Sequence, residues 1–162
     1  MAPILSIIEA DLNRAEHQNA ILALTNAYAM DPMGNGGPLP AATLDRLITG
    51  LRNHPTTLIF LAYLDGSPVG IANCFRGFST FAAKPLLNIH DLAVLPQSRG
   101  QGVGRELLRA VERKARELGC CKLTLEVLEN NKRARQVYAD FGFAQATYEE
   151  SAGAALFYAK PL

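Results

Sequence analysis

The sequence predicts an α/β fold of the α+β type, with a mixed but mostly antiparallel central sheet and helices on both faces. Three patterns carry that expectation. Residues 56–64 and 69–75 are apolar runs joined at Asp65-Gly66, a β-hairpin signature. Residues 86–95, 102–118 and 121–127 read as strand, helix and strand, which implies a parallel pair with a right-handed crossover. Within 86–95, Leu87 and Ile89 share one parity while Leu92 and Val94 share the other. One extra residue at His90-Asp91, a β-bulge, produces such a switch. A strand buried on both faces also accommodates it, because Ala93 and Leu95 are apolar too.

The elements follow in order. An apolar run at 4–8 is read as the first strand. Asp11 or Asn13 is placed to cap a helix with Leu22, Leu24, Ala27 and Tyr28 on its apolar face, and Asp31-Pro32 stops it near Met30. Residues 31–40 are rich in Gly and Pro and read as a loop. Leu44, Leu47, Ile48 and Leu51 recur at helical spacing over 43–51, and His54-Pro55 closes that helix. After the hairpin, the aromatic stretch 75–81 continues its strand irregularly. Val103, Leu107, Val111, Ala115 and Leu118 form one stripe of the next helix, with Gly119 suited to follow its end. Cys121, Leu123, Leu125 and Val127 alternate with polar residues as in a half-buried strand. Asn131 is read as the cap of a short helix with Ala134, Val137, Tyr138 and Phe141 inward and Gly142 at its end. Residues 143–147 and 155–159 are read as two final strands. The expected order is β-α-α-β-β-β-α-β-α-β-β.

A chain of 162 residues suits a single domain spanning 1–162. Sixteen basic and 15 acidic residues give a net charge of +1, which argues against a nucleic-acid partner. The helix after 102 carries Arg105, Arg109, Arg113, Lys114 and Arg116, but also Glu106, Glu112 and Glu117, as a solvated mixed-sign face does. Cys74, Cys120 and Cys121 form an odd set without metal-ligand spacing, so no metal and reduced thiols in a cytoplasmic protein are expected. Cys74 has no neighbouring base in sequence and is not taken as a nucleophile. The N-terminus has no basic segment leading into an apolar core. No apolar run approaches the ~20 residues of a membrane helix. Neither a signal peptide nor a membrane partner is expected.

The chain is organised around 95–105, Leu-Pro-Gln-Ser-Arg-Gly-Gln-Gly-Val-Gly-Arg. Pro96 ends the strand, and Gly100, Gly102 and Gly104 let backbone approach a ligand closely. The following helix start offers unpaired N–H groups and the positive end of a dipole, an anion site that Arg99 and Arg105 flank. A tight turn with glycines for packing alone fits the same residues. No Gly-Lys-Ser/Thr follows, so it is not a P-loop, and Gly-x-Gly-x-x-Gly is unmatched.

Arg99-x-x-Gly102-x-Gly104, after an apolar strand and before a long helix, resembles the pyrophosphate loop of the GNAT superfamily of N-acetyltransferases. Asn131-x-x-Ala134-x-x-Val137-Tyr138, followed by Gly142-Phe143, resembles the second motif of that family, with Val137 where Leu or Phe is usual. The element order from Thr56 onward matches as well. The resemblance implies the acyl-CoA N-acyltransferase fold, with the strand before the loop splayed from its neighbour at a bulge. It implies acetyl-CoA as cosubstrate, bound by Leu92, Ala93 and Val94 along the strand, by Arg99, Gly100, Gln101, Gly102, Val103, Gly104 and Arg105 in the loop, and by Asn131, Ala134 and Tyr138. A backbone N–H of Leu92 or Ala93 is expected to hold the developing oxyanion. Tyr138 is expected to protonate the departing thiolate.

The base is His90 or Asp91. Both titrate and both adjoin the expected bulge; strand alternation would send them to opposite faces, so that only one meets the substrate. Polyamine acetylases, which the region somewhat resembles, carry Glu-Asp where this chain has His90-Asp91. Asp31, the single charge in 31–40, is a candidate partner for a substrate ammonium, or else simply starts a turn with Pro32. The expected activity is acetyl transfer to a primary amine, a small molecule by resemblance to diamine and small-amine acetylases. Acetylation of a protein N-terminus or lysine, and a non-catalytic acyl-CoA sensor, remain open, as does a homodimer.

Overall fold

A computed structural model describes residues 3–162. The chain divides into two compact units, Met1–Leu128 and Glu129–Leu162.

The first unit is built on a five-stranded sheet in sequence order: β1 (Leu5–Glu9), β2 (Thr57–Leu64), β3 (Ser67–Ser79), β4 (Lys84–Val94) and β5 (Leu123–Leu125). The first three pairings are antiparallel and β4–β5 is parallel, so the sheet is mixed as expected. Helix α1 (Ala15–Met30) and helix α2 (Ala41–Asn53) precede the hairpin, and α3 (Val103–Glu117) makes the crossover from β4 to β5. One face of the sheet packs Ile59, Leu61, Tyr63 and Ile71 against Ala20, Ile21 and Leu24 of α1 and Leu51 of α2. The strands' other parity meets α3, whose Val103, Leu107, Leu108 and Val111 are all but fully buried. A Cβ on Gly70 of β3 would meet Leu107 at 3.1 Å and Val103 at 3.2 Å, so α3 lies tight on that face.

The helix boundaries shift from expectation for local reasons. Neither Asp11 nor Asn13 caps α1; Arg14 holds the cap position without a side-chain bond. The Asp11 carboxylate instead accepts the Asn13 N–H at 2.9 Å, closing a turn one step earlier. The Asp11 N–H donates to Nδ1 of the buried His17, also at 2.9 Å. Helix α2 begins just after Pro40 and runs two residues further at each end than its apolar spacing marks. Among the described residues no helix is long and apolar enough to cross a membrane.

The second unit holds α4 (Lys132–Phe141), ended by Gly142 in the left-handed region at φ 102°. The two final strands expected at 143–147 and 155–159 do not form; a single bridge joins Thr147 and Ala154. Tyr148, Leu156, Phe157 and Tyr158 are exposed. A lone two-stranded ribbon with no buried side chains has little to offset its ordering entropy.

Candidate active site

Strand β4 changes character halfway along. Its first half is paired on both edges: Leu87, Asn88 and Ile89 lie beside Leu123, Thr124 and Leu125, and Leu87 N–H donates to Lys122 C=O at 3.1 Å. Between Asn73 and Cys74 of β3 the register slips, with Asn73 opposite Asp91 and Cys74 opposite Ile89. His90 is therefore the extra residue of a β-bulge. Beyond it β4 runs on to Val94, while β5 pairs no further than Ile89. Leu95 N–H donates to Val69 C=O at 2.8 Å, so Ala93, two residues earlier, also turns its N–H to β3. Leu92 and Val94 present theirs to the open edge. Of the two oxyanion donors expected from the sequence, Leu92 thus faces the open edge and Ala93 faces β3.

The bulge also suspends alternation. His90 and Asp91 emerge on the same face, the one covered by α1 and α2, instead of on opposite faces. Asp91 Oδ2 accepts from Asn73 Nδ2 at 3.0 Å. The His90 ring meets Phe75 edge-on at 5.6 Å, and Phe75 packs against the α1–α2 core. Asn73 is only 4% exposed and its Oδ1 has no partner among the described residues, an acceptor left open beside Asp91. Burial, then the charges of Asp91 and Asp31, push the Tyr28 phenol above its ordinary range, so both carboxylates lie within its field. Cys74, on the opposite parity, is buried, and desolvation with the Asp91 charge pushes its thiol up to about 12. It has no thiolate to offer.

Past Val94 the chain turns through Pro96–Ser98 and enters α3. Gly102 is the cap residue, at φ 81°, and supplies no side-chain acceptor to the first-turn N–H groups. A Cβ on Gly102 would meet nothing within 4 Å, and one on Gly104 would touch only Val94 at 3.8 Å, so open space lies over this floor. Val103 contributes backbone alone, its side chain being in the core. Gln101 reaches back to Gln97 C=O at 3.2 Å, and Arg105 is exposed. Arg99 is engaged elsewhere than expected: Nε donates to Val94 C=O at 2.9 Å and Nη2 pairs with Asp31 Oδ2 at 2.5 Å. Asp31 Oδ1 accepts the Met33 N–H at 2.8 Å. The Arg99 bond, then that N–H, hold the Asp31 carboxyl below the usual range. Asp31 therefore starts a turn and ties it to β4.

A cleft of about 490 Å³ opens beside the bulge, between α2 and the β3–β4 pair. Leu47, Leu51 and Phe75 wall it; Arg46, His54 and His90 rim it. His54 stands edge-on to Phe75 at 5.1 Å, continuing the ring contact from His90. Asn73, Arg46, His54 and Phe75 come to this region without being expected there from the sequence. Asn73 had a signal, a carboxamide at an inward position of an apolar strand; the α2 residues lack one, because the bulge lies far away in sequence. Among the described residues no group of three or more His, Cys, Asp or Glu side chains could hold a metal.

In the second unit, Asn131 caps α4 as expected, its Oδ1 accepting the Ala134 N–H at 3.1 Å. Tyr138 and Phe143 rings meet edge-on at 5.9 Å, and Tyr138 C=O accepts the Phe143 N–H at 2.9 Å. Both Ala134 and Tyr138 are half-buried.

The family model described as Acetyltransferase (GNAT) family matches residues 21–143. An uncharacterized N-acetyltransferase, YhfO of Bacillus subtilis (strain 168), is 32% identical over 97 residues, 60% of this chain and 64% of its own length. Thialysine N-epsilon-acetyltransferase of Bos taurus is 34% identical over 82 residues, 51% of this chain and 48% of its own. The chain thus spans about half to two thirds of these relatives. A crystal structure of a probable acetyltransferase superposes with a TM-score of 0.79 at 23% identity, covering 97% of each chain, and shares the fold.

Proposed function

The chain belongs to the acetyltransferase (GNAT) family, and on that footing we propose that it moves an acetyl group from acetyl-CoA to a primary amine of a small molecule. We read 1–162 as one transferase domain, supported by a family match that runs from 21 to 143. The observation that carries the reading is the half-open β4: two outward N–H groups beside a bulge, leading into an uncapped, glycine-floored helix start. Bound CoA supplies the acetyl group as a thioester. Leu92 and Val94 hold its extended arm as a strand would, and Leu92 N–H, beside the bulge, stabilises charge growing on the thioester oxygen. The N–H groups of Val103, Gly104 and Arg105, over the floor of Gly100 to Gly102, take the pyrophosphate. The open space above Gly102 and Gly104 fits that group.

An ammonium must lose a proton before its nitrogen attacks. We assign that proton to Asp91 through a water, because Asn73 fixes the carboxylate and leaves an acceptor beside it; His90, on the same face, is the rival. Attack on the thioester is direct, since Cys74 is protonated and buried. Tyr138 returns a proton to sulfur, an assignment that rests on the family motif, with Asn131 and Ala134 setting the start of its helix. The thialysine relative's name supports a small-molecule acceptor over a protein. The test follows thiol release from acetyl-CoA across an amine and peptide library. Release with small amines, falling ~10²–10⁴-fold in Tyr138→Phe with CoA affinity kept, is expected. CoA binding without release for any acceptor leaves a sensor; release with peptides alone leaves a protein acetylase.

A further inference from the structure

The cleft beside the bulge carries a sign of charge opposite to that of the carboxylate next to it. Among the described residues no Asp or Glu lines it. Arg46 donates Nε to Ala42 C=O of its own helix at 3.0 Å and enters no ion pair among the described residues, so its terminal nitrogens keep their donors for a ligand. His54 and His90 add imidazoles, and Leu47, Leu51 and Phe75 leave the wall between apolar. Asp91, next to His90 on the same face of β4, stands outside that lining and is held by Asn73, and the Tyr28 phenol lies within the field of both Asp91 and Asp31. The α1–α2 face therefore runs from negative at the bulge to positive at the α2 rim.

We infer that this cleft selects acceptor amines bearing a carboxylate at the far end of an apolar stem, with Arg46 as the residue that reads the carboxylate. An ammonium sits well near Asp91, and a methylene stem lies along Phe75 and the leucines. A guanidinium binds a carboxylate through paired charge-assisted hydrogen bonds. A diamine of the same length brings its second ammonium against Arg46 instead, so an ω-amino acid is preferred to a polyamine. The direction of the amine end rests on the transferase reading; the carboxylate end rests on the cleft alone.

Three probes of one skeleton test it: 6-aminohexanoate, hexylamine and 1,6-diaminohexane. Binding is followed by calorimetry and by the ring signals of His54 and His90, without CoA. The wild type is expected to bind 6-aminohexanoate about tenfold tighter than 1,6-diaminohexane, with both histidine signals moving. Arg46→Glu is expected to reverse the preference and Arg46→Gln to flatten it; both sit on an exposed helix position, and circular dichroism checks the fold. An equal or better fit of the diamine, unmoved histidine signals, or a preference that survives Arg46→Glu overturns the inference. Thiol release with the same probes separates the two readings. Binding preference without release keeps the carboxylate site and leaves the transferase to be decided by the wider amine and peptide library; release fastest with 1,6-diaminohexane keeps the transferase and removes the carboxylate site.

Discussion

Leu87 and Leu92 belong to one strand and serve different ends. Leu87 is fully buried and its strand is paired on both edges; Leu92 is half-buried and its N–H faces an edge that β5 does not reach. The single residue between these regimes is His90. A β-sheet consumes its backbone donors in the ladder, so a sheet can offer N–H groups to a ligand only where pairing stops. The bulge reaches that state without ending the strand: β3 still holds the open half, and the faces exchange so that Asp91 joins His90 on the face that α1 and α2 cover. Under the proposed reading, scaffold and chemistry divide along this single element.

The largest effect is expected in the open half. Asp91→Asn should lower kcat/KM ~10²–10⁴-fold with CoA affinity and fold kept. His90→Ala should raise KM for the amine with kcat nearly kept, since the ring walls the cleft. A kcat lost in His90→Ala and kept in Asp91→Asn moves the base to His90.

Leu87→Ala tests the paired half. Truncating a fully buried leucine should cost ~2–5 kcal/mol in denaturant unfolding. Activity per folded molecule should hold at a temperature where the variant stays folded. A slower kcat with little loss of stability breaks the division between the halves.

Gly102→Val sharpens the boundary where β4's open edge leads into the helix. At φ 81° a β-branched residue is strained by ~1–2 kcal/mol. Its side chain also enters the space above the floor, so CoA affinity should fall about tenfold or more, beyond what strain alone does to stability. Unchanged calorimetric affinity in a folded variant removes the loop from the site.

The bulge was legible because Leu87 and Ile89 break parity with Leu92 and Val94, a pattern local to one strand. The same alternation, carried through the extra residue, misplaced His90 and Asp91; periodicity locates a bulge yet cannot say which side chains share a face across it. The Arg99–Asp31 pair is not legible in the sequence, because its partners lie 68 residues apart and no local pattern announces it. Arg46 and His54 reach the cleft only through the packing of α2 on the sheet. The strands expected at 143–147 and 155–159 do not form; a local sequence pattern carries no information on whether those side chains find anything to cover them.

The smallest effect tests what stands in for the missing strand partner. Arg99 Nε takes the Val94 C=O on the open edge, and Asp31 holds the other end of that guanidinium. Asp31→Asn preserves the turn bond to Met33 N–H and removes the charge, so it isolates the pair. Because Asp31 has a lowered pKa in the folded protein, its contribution is fully present above the unfolded carboxyl's value near ~3.9 and disappears as pH falls through the lowered folded value. With the pair partly exposed, the gap between wild type and variant near neutral pH should be ~0.2–1 kcal/mol in denaturant midpoints. It should shrink in salt and close once the pH is taken well below the ordinary carboxylate range. Gly102 and the helix start are untouched by this change, so CoA affinity should fall only as far as the open edge depends on Arg99 for its position. A gap that persists in strong acid would assign the loss to turn geometry and leave β4's open half held by β3 alone.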